Sequence, residues 1–471
     1  MRIPLNRNSR TPLYRQVADY IRSAVLDGSF PPESRLPAVR DMAKKNSVSR
    51  ITVEKAYEAL EAESLVQIRP GSGVYTLSAG PPPAPVRENG SDRQTFRPFD
   101  HTGSGDMVDF SYGGGDPRLF PVRDFRSCLQ KTATLPEEEL FAYGDIRGYG
   151  PLRESVARIL TSQGLRITPD RLLVTNGSQQ ALSLICRRFL RRGSRILTEA
   201  NTYGEALNLF RTEGYEIVPV PMDENGMNTG ALEKILKTAP ADLIYTIPNF
   251  QNPTGTTLPE ERRRHLISLA DRYNTPVVED DYIGDLSYGS PCPPSLKAMD
   301  PTGRVIYIGT FSKMLMPGLR FGFLAAEEPF YGDLVNYKRY SDLTSPGYLQ
   351  RAVHSFISLG RYRNHIESSR RIYRKRRDRM AAALREFFPE EWQFQTPGGG
   401  LFLWLPCPKG FYGADYVRAA AGRQVRVPDG SIFRSAPRRE AAGLRLNFAS
   451  RTEEEITRGV RRMARALEDQ N

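Results

Sequence analysis

Residues 276–313 decide the fold class of most of the chain, and they read PVVEDDYIGDLSYGSPCPPSLKAMDPTGRVIYIGTFSK. The stretch contains two short apolar runs, PVV and RVIYI, and each is followed at once by polar residues, EDDY at 279–282 and GTFSK at 309–313. Short runs rich in Val and Ile are typical of buried strands. In an open α/β sheet, ligands bind beyond the carboxyl ends of the strands, so these polar residues are candidate site residues.

Further apolar runs precede this stretch at intervals of about 25–35 residues, and most are separated by helical stretches. They are LLVT (172–175), RILTEA (195–200), EIVPV (216–220) and DLIYTI (242–247). This alternation predicts a large α/β domain with a doubly wound, mostly parallel sheet. After about residue 350 the chain becomes helical and basic, and it closes with GLFLWL, GLRLNF and a last helix, which predicts a smaller α+β lobe.

The composition is that of an ordinary globular protein of 471 residues with a formal net charge of +12, which favours a polyanionic partner. No run approaches 18 apolar residues and the N-terminus is polar, so neither a transmembrane helix nor a secretory signal is predicted. The four cysteines are scattered without a C-x-x-C pair. This pattern favours a reducing cytoplasm and argues against a metal site or a disulfide framework.

A linker is predicted at residues 79–105, AGPPPAPVRENGSDRQTFRPFDHTGSG, because this stretch is rich in Pro, Gly and Ser and lacks hydrophobic periodicity. It separates an N-terminal domain, residues 1–78, from a C-terminal domain, residues 106–471.

Three helices and a β-hairpin are predicted in the N-terminal domain. The first helix begins near Thr11 and Pro12, the second is PAVRDMAKKN (37–46), and Ser49 caps the third. The strands LVQI (65–68) and VYTL (74–77) flank the glycine-rich tip PGSG. This order is typical of a winged helix-turn-helix.

The start of the third helix of such a domain contacts base edges, and its flanks contact phosphates. The candidate DNA-binding residues are therefore Arg35, Arg40, Ser49, Arg50 and Thr52, with Gly71 and Gly73 allowing the wing tip a close approach. A small helical dimerisation module is the alternative. The spacing does not decide between them, and neither does the net charge of +4 (12 Lys and Arg against 8 Asp and Glu).

The stretch LPAVRDMAKKNSVSRITVEKAYEALEAESLV is similar to the N-terminal domain of GntR-type bacterial repressors, and the similarity covers nearly all of residues 10–78. The resemblance implies that Arg40, Arg50, Thr52 and the wing glycine contact double-stranded operator DNA. Glu54 is a departure, because some branches of the family carry Arg there, and it would remove one phosphate contact.

Four motifs follow predicted strands of the C-terminal domain. TNGSQ (175–179) opens a helix whose free N–H groups suit a phosphate, and NFQNPTG (249–255) leaves an Asn amide free to donate. A carboxylate in EDDY could hold a ring nitrogen protonated. Lys313, beside cations such as Arg320, would have a lowered pKa and could form a Schiff base. Each motif alone is an ordinary loop, cap or surface lysine, and only their order and placement together are specific.

This set resembles the fold type I aminotransferases over about residues 107–466. The resemblance implies pyridoxal 5'-phosphate (PLP) as the cofactor, with the internal aldimine on Lys313 and Asp280 paired with the pyridine nitrogen. The other implied roles are donors to the phenolic oxygen (Asn252, Tyr282), ring stacking (Tyr203), phosphate binding (Ser178, Gln179, Thr310, Ser312, Arg320), binding of an amino acid's carboxylate (Arg445), and a segment that reaches across a head-to-tail homodimer (Tyr143).

A GntR-like domain joined by a linker to an aminotransferase-like domain resembles the MocR subfamily of bacterial transcription regulators. The resemblance implies a regulator that senses an amino compound, or PLP itself, through Lys313. The alternative is a catalytically active aminotransferase with a DNA-binding appendage. A DNA-binding scaffold with a relic pocket is a third hypothesis, and the intact Lys313 and Asp280 count against it.

The segment Arg361–Arg379 carries nine Lys and Arg against two acids. Such a run is either a solvated helix face or a phosphate track that extends the DNA contact.

Overall fold

The computed structural model describes residues 3–7, 9, 11–26, 29–31, 33–63, 65–69, 72–77, 106–289, 291–409, 411, 413–436 and 443–468. The chain forms two compact units, an N-terminal unit within residues 1–98 and a C-terminal unit within residues 99–471. The predicted linker, residues 79–105, lies outside the described residues. Within the described ranges, no helix combines the length and the apolar character needed to cross a bilayer.

The N-terminal unit contains three helices and an antiparallel hairpin. Their bounds are α1 Leu13–Leu26, α2 Val39–Asn46, α3 Arg50–Ala62, β1 Val66–Arg69 and β2 Gly73–Thr76. Helix α2 begins two residues later than predicted, because Ala38 is extended at the N-cap. Arg35 forms an isolated antiparallel β-bridge with Tyr75, so a third segment of the chain pairs with the hairpin. Buried Val17, Ile21, Val53 and Tyr57 form part of a hydrophobic core that belongs to this unit.

Thirteen strands are described in the C-terminal unit. They are β3 Val108–Asp109, β4 Leu172–Thr175, β5 Arg195–Glu199, β6 Glu216–Val220, β7 Met222–Asp223, β8 Gly226–Met227, β9 Leu243–Thr246, β10 Val277–Asp281, β11 Val305–Thr310, β12 Gly322–Ala325, β13 Phe402–Pro406, β14 Val425–Arg426 and β15 Gly443–Asn447.

Thirteen helices accompany the strands described in this unit. They are α4 Val122–Ala133, α5 Glu137–Phe141, α6 Gly150–Ser162, α7 Ser178–Phe189, α8 Gly204–Thr212, α9 Thr229–Thr238, α10 Glu260–Arg272, α11 Leu296–Met299, α12 Phe330–Asp342, α13 Gly347–Ser358, α14 Arg361–Phe387, α15 Gly413–Gly422 and α16 Glu453–Glu468.

Seven strands form the main sheet in the order β4-β12-β11-β10-β9-β5-β6. The predicted α/β fold with a mostly parallel sheet is confirmed, because only β12 runs antiparallel to its neighbours β11 and β4. Strand β12 was not predicted. The connection from β11 to β12 is too short for the crossover helix that a parallel pair needs, so the chain turns back on itself.

The sheet is covered on both faces, as successive residues of its strands show. Leu197, Ile244, Val277 and Val305 pack into one buried cluster with residues of α9 and α10. Their neighbours Ile196, Tyr245, Val278 and Ile306 pack into a second, larger cluster on the opposite face. Successive side chains of a strand point to opposite faces of the sheet. Because both faces are buried, each strand is apolar throughout, as is typical of a doubly wound sheet.

The smaller lobe contains the antiparallel pair β13–β15 and the helices α15 and α16. Strands β4, β9, β10 and β11 all point the same way, because β4 and β11 are each antiparallel to β12. Their carboxyl ends therefore meet at one edge of the sheet, and the four predicted motifs follow that edge.

Candidate functional site

Lys313 lies just beyond β11, and its Nζ donates a hydrogen bond to the carbonyl oxygen of Gly113 at 2.8 Å. The pKa of Lys313 is lowered to about 8, chiefly by burial; the positive charges of Arg445 and Arg320 act in the same direction, and Asp280 opposes them. About a tenth of the amine is therefore neutral at pH 7, far more than for an ordinary lysine, and a neutral amine is the form that attacks a carbonyl.

Asp280 is a buried carboxylate on β10. Its Oδ2 accepts a hydrogen bond from the Tyr245 hydroxyl at 2.7 Å. Its Oδ1 is fully buried and has no hydrogen-bond partner among the described residues. Burial raises the pKa of Asp280 to about 6, and the Tyr245 hydrogen bond opposes this rise. A buried, unpaired carboxylate oxygen fits a cationic N–H donor such as a protonated pyridine ring.

Arg445 on β15 projects into the same buried region. Its guanidinium donates to Asn252 Oδ1 at 3.1 Å and to the Ser111 carbonyl at 2.9 Å, while its Nε is buried without a described partner. The rings of Phe402 and Phe433 flank the guanidinium at 4.3 and 4.8 Å. Burial lowers the pKa of Arg445 to about 10, so the side chain stays cationic at neutral pH and can pair with an anion.

The two predicted tyrosines both lie close enough to Arg445 for its charge to act on them. The Tyr282 hydroxyl donates to the Phe250 carbonyl at 2.7 Å, so its proton is already used there. Tyr203 occupies the N-cap position of α8, where burial raises its pKa and a hydrogen bond from Gln179 opposes the rise. Because Asn252 Oδ1 accepts from Arg445, its amide NH₂ is the group left to donate, as the NFQNPTG motif predicted.

Residues 176–180, called the phosphate loop after their predicted role, comprise the two residues between β4 and α7 and the first three residues of α7. Gly177 has φ +86°, and a Cβ there would lie 2.6 Å from an Arg320 guanidinium nitrogen. Only glycine therefore lets Arg320 come this close. Arg320 Nη2 donates to the Asn176 carbonyl at 3.4 Å. Helix α7 starts at Ser178 without a side-chain cap, so its first N–H groups and Arg320 form a setting suited to an anion.

Thr310 and Ser312 both contact the residue that follows Arg320. Both hydroxyls donate to the Phe321 carbonyl, at 3.0 and 3.4 Å, and the Thr310 oxygen also accepts from the Ser312 backbone N–H at 3.1 Å. These two side chains therefore hold the turn that carries Lys313. Tyr143 is not part of this cluster, because 85% of its surface is exposed.

Sequence reasoning missed three parts of the site. Tyr245 was read only as an apolar strand residue, although a tyrosine at this depth needs a hydrogen-bond partner. The segment Ser111–Gly114 was not predicted to contribute. Asn447 donates to the Tyr112 and Gly114 carbonyls at 2.6 and 2.8 Å, which holds that segment against Lys313. The run of three glycines that overlaps the end of this segment, Gly113–Gly115, was the signal in the sequence that could have identified it.

In the N-terminal unit, the predicted DNA-binding residues lie at the start of α2, at the start of α3 and at the hairpin. Ser49 caps α3 by accepting from the Thr52 N–H at 3.1 Å, and Arg35, Arg40 and Arg50 are exposed. Gly73 has φ +125°, and a Cβ there would meet Arg35 Nε at 2.8 Å. Gly71 lies outside the described residues.

Ile51 was not predicted as a DNA-binding residue. It follows Arg50 on α3, and 62% of its surface is exposed. An apolar residue between two candidate base-reading residues was the signal available in the sequence.

The basic run on α14 divides into two groups. In the first group, Arg376 is buried and forms an ion pair with buried Asp116 at 2.9 Å. The other members of this group form ion pairs or hydrogen bonds with neighbouring residues; they are Arg361, Arg363, Arg370, Arg377 and Arg379. Arg371, Arg374 and Lys375 are exposed and have no ion pair with a described residue. Much of the run therefore stabilises the fold.

Comparison with known proteins gives two family matches. Residues 110–463 match the family described as aminotransferase class I and II, and residues 13–76 match the bacterial regulatory proteins of the gntR family. The chain is 31% identical to the uncharacterized HTH-type transcriptional regulator YisV of Bacillus subtilis (strain 168), over 98% of this chain and 96% of that one. It is 36% identical to aromatic-amino-acid aminotransferase 1 of Thermococcus litoralis, over 78% and 89% of the two chains.

Two solved structures resemble the C-terminal unit. The kynurenine aminotransferase of Pyrococcus horikoshii, solved in complex with PMP, has a TM-score of 0.74 at 34% identity and covers 78% of this chain and 92% of its own. The α-aminoadipate aminotransferase LysN of Thermus thermophilus, complexed with N-(5'-phosphopyridoxyl)-L-leucine, has a TM-score of 0.72 at 36% identity, with coverages of 77% and 92%.

Proposed function

The chain belongs to the class I and II aminotransferase family and carries a gntR-family domain in front of it, and on this basis we propose that it is a PLP-dependent transcription regulator of the MocR type. The N-terminal unit binds operator DNA, and the C-terminal unit receives an amino compound, or PLP itself, as the signal. One observation carries the proposal. Lys313, Asp280 and Arg445 interact within one buried region of a chain that also has a winged helix-turn-helix.

PLP supplies an aldehyde that bonds to amines and an electron-withdrawing ring. The residues of this chain bind and orient it. Lys313 Nζ is the attachment point, Asp280 Oδ1 would hold the proton on the ring nitrogen, and the phosphate loop with Arg320 would hold the phosphate. Arg445 would bind the carboxylate of an amino acid effector, which favours amines that carry an acid group.

The signal would arise where an effector amine takes the place of the lysine amine. Lys313 is then released inside a buried region that already contains the cation Arg445. If the C-terminal unit has two conformations and the effector binds one of them more tightly, effector binding would increase the population of that conformation. The two DNA-binding units of a dimer would then change their spacing or orientation on the operator.

A second copy of the chain is the proposed structural partner, in the head-to-tail arrangement that the family resemblance implies. Large apolar or aromatic side chains are exposed at Tyr143, Tyr340 and Leu343, at 85%, 84% and 51%. Burial of such groups against a partner is favourable. Two winged helices in a dimer would read two operator half-sites. Because the target would be operator DNA, we propose that the protein acts in the cytoplasm.

The test uses the full-length, PLP-loaded protein and an operator selected from a random DNA library. The absorption band of the lysine-bound cofactor is followed during titration with a panel of amino compounds. The panel includes aromatic amino acids, 2-aminoadipate and kynurenine, because the names of similar proteins contain these compounds. We expect one amine to change the band and to shift operator affinity by about fivefold or more. Lys313→Ala should abolish the band and retain operator binding. A band that survives in this variant would show that another residue carries the cofactor.

A catalytically active aminotransferase is the second candidate. It is favoured by the buried Arg445, whose Nε has no hydrogen-bond partner among the described residues, since catalysis on an amino acid needs that carboxylate site. Addition of a 2-oxo acid separates the two functions. A regulator gives one spectral change that couples to operator affinity. Sustained turnover with no change in operator affinity would contradict the regulatory proposal and support the enzyme.

A further inference from the structure

Lys338 is a fully buried lysine in the C-terminal unit that takes no part in the site described above. Its Nζ contacts both carboxylate oxygens of Asp342, at 2.6 and 2.8 Å, and the Ser345 hydroxyl at 3.0 Å. Burial lowers the pKa of Lys338, and the contact with Asp342 opposes that change. An ammonium group is strongly hydrated in water, so a buried one persists only where hydrogen bonds and an opposite charge replace the water.

The same carboxylate also reaches the phosphate loop. Asp342 Oδ2 accepts from Asn176 Nδ2 at 2.7 Å and from Gln180 Nε2 at 2.8 Å. Gln180 Oε1 accepts in turn from the Asn176 backbone N–H at 2.9 Å. Asp342 therefore holds the first and last residues of the loop, and Gly177, Ser178 and Gln179 lie between them.

The loop needs such support. Gly177 gives the backbone a wide choice of conformations, and α7 begins without a side-chain cap. A phosphate is bound well only when several N–H groups point at it together. Arg320 restrains the loop through its contact with the Asn176 carbonyl, and the hydrogen bonds to Asp342 further limit the conformations of the loop.

The other end of this network is attached to α13. Gln350 donates to the Ser345 carbonyl at 2.8 Å and accepts from the Tyr149 backbone N–H at 2.7 Å. Ser345, which contacts Lys338, is therefore itself held by a buried side chain of a helix.

We propose that Lys338 and Asp342 are a positioning pair for the cofactor's phosphate: the ion pair presents the carboxylate that holds the phosphate loop in its anion-binding conformation. The inference rests on the proposed function, because the phosphate belongs to PLP. It assigns to α12 a part in cofactor affinity, although neither residue would touch the cofactor.

The test compares PLP with pyridoxal, which has the same aldehyde and ring but no phosphate. Both ligands are titrated against the full-length apo-protein, and the absorption of the lysine-bound ligand gives each affinity. We expect Asp342→Asn to weaken PLP binding by about tenfold and to leave pyridoxal binding within about twofold, since a lost charged hydrogen bond has roughly this effect. Lys338→Met should act in the same direction, and Asp342→Glu should recover part of the loss.

Asp333→Asn is the matched control. Asp333 lies on the same helix, and its pair with Arg188 at 2.5 Å also joins α12 to α7, but at the exposed far end of α7. It should change neither affinity. If a single variant fails to fold because one buried charge is unpaired, the double variant Lys338→Met/Asp342→Asn removes both charges and still alters the loop's acceptor.

Two results would overturn the inference: unchanged affinities for both PLP and pyridoxal in the Asp342→Asn variant, or an equal loss of affinity for both ligands, which indicates general disruption. Failure of the unmodified protein to take up PLP would instead contradict the proposed function. The two failures are therefore distinguishable.

Discussion

The protonation state of Lys313 depends on how the chain distributes charge around one buried nitrogen. Burial, Arg445 and Arg320 all favour the neutral amine, and Asp280 favours the ammonium form. Asp280 is itself buried and receives a hydrogen bond from Tyr245, which keeps a carboxylate available beside the lysine. The outcome is a lysine whose pKa lies near 8 rather than near its ordinary value of 10.5.

This balance predicts a pH dependence for cofactor attachment. The rate of PLP attachment to the apo-protein should rise from pH 6 through a midpoint near pH 8 and level off above about pH 9, because only the neutral amine attacks the aldehyde. Arg445→Gln removes a cation that lowers the pKa of Lys313, so the midpoint of the rise should move to higher pH. Stopped-flow absorbance measures this rate.

Arg462→Gln is the control for the charge change. Arg462 pairs with Asp106 and is not among the charges that act on Lys313. In the Arg462→Gln variant, the midpoint of the rise in attachment rate with pH should equal that of the unmodified protein. A midpoint that stays in place in Arg445→Gln would show that Arg445 does not influence the lysine.

At the scale of the element, α14 shows how one helix uses a basic run in two ways. Its buried face carries Arg376, which pairs with Asp116 and donates to the Ala449 carbonyl. Its outer face carries Arg371, Arg374 and Lys375. Any test of a DNA contact by charge reversal should therefore use these three exposed residues, because a change at Arg376 or Arg377 would also disturb packing.

The two faces predict different stabilities. Arg376→Gln should lower the free energy of unfolding by about 1–3 kcal/mol, since it removes one partner of the buried Asp116 while Arg118 still pairs with the other carboxylate oxygen. The matched variant Arg374→Gln should change it by about 0.5 kcal/mol or less, as exposed substitutions do. Denaturant unfolding measures both values. Equal stabilities would contradict the division of α14 into a structural and a solvated face.

At the scale of the whole molecule, the chain has separate hydrophobic cores. One cluster lies entirely within residues 3–74, and the other two lie within residues 108–466. Each unit therefore contains the apolar burial that a domain needs for its own stability.

Two unfolding transitions are expected by calorimetry of the full-length protein. PLP should raise the midpoint of one transition only, because a ligand stabilises the unit whose native state it binds. The Lys313→Ala variant should lose most of this shift. A single transition that moves as a whole with PLP would show that the units unfold together.

Several features of the site were predictable because they depend on local sequence. The motifs after β4, β9, β10 and β11 lie at one edge of the sheet as expected, since parallel strands bring their carboxyl ends together. Ser49 was predictable as a cap because its contact with Thr52 spans only three residues. The roles assigned to individual site residues remain predictions.

Other features depend on residues far apart in the chain. Strand β12 escaped prediction because GFLA begins with glycine and contains no β-branched residue, unlike the predicted strands of the main sheet. The hydrogen bond from Tyr245 to Asp280 joins neighbouring strands 35 residues apart, and that between Asn176 and Asp342 spans 166 residues.

The sequence by itself determined the order of the domains, the α/β class, the chemical identity of the motifs and the family resemblance, because these reside in local composition and spacing. The tertiary structure decided which charges meet. It brought Arg445 and Arg320 to Lys313, buried Arg376 against Asp116, and placed Lys338 behind the phosphate loop. The physical reason is that a charge's energy depends on its burial and its neighbours, and both are set by contacts between distant parts of the chain.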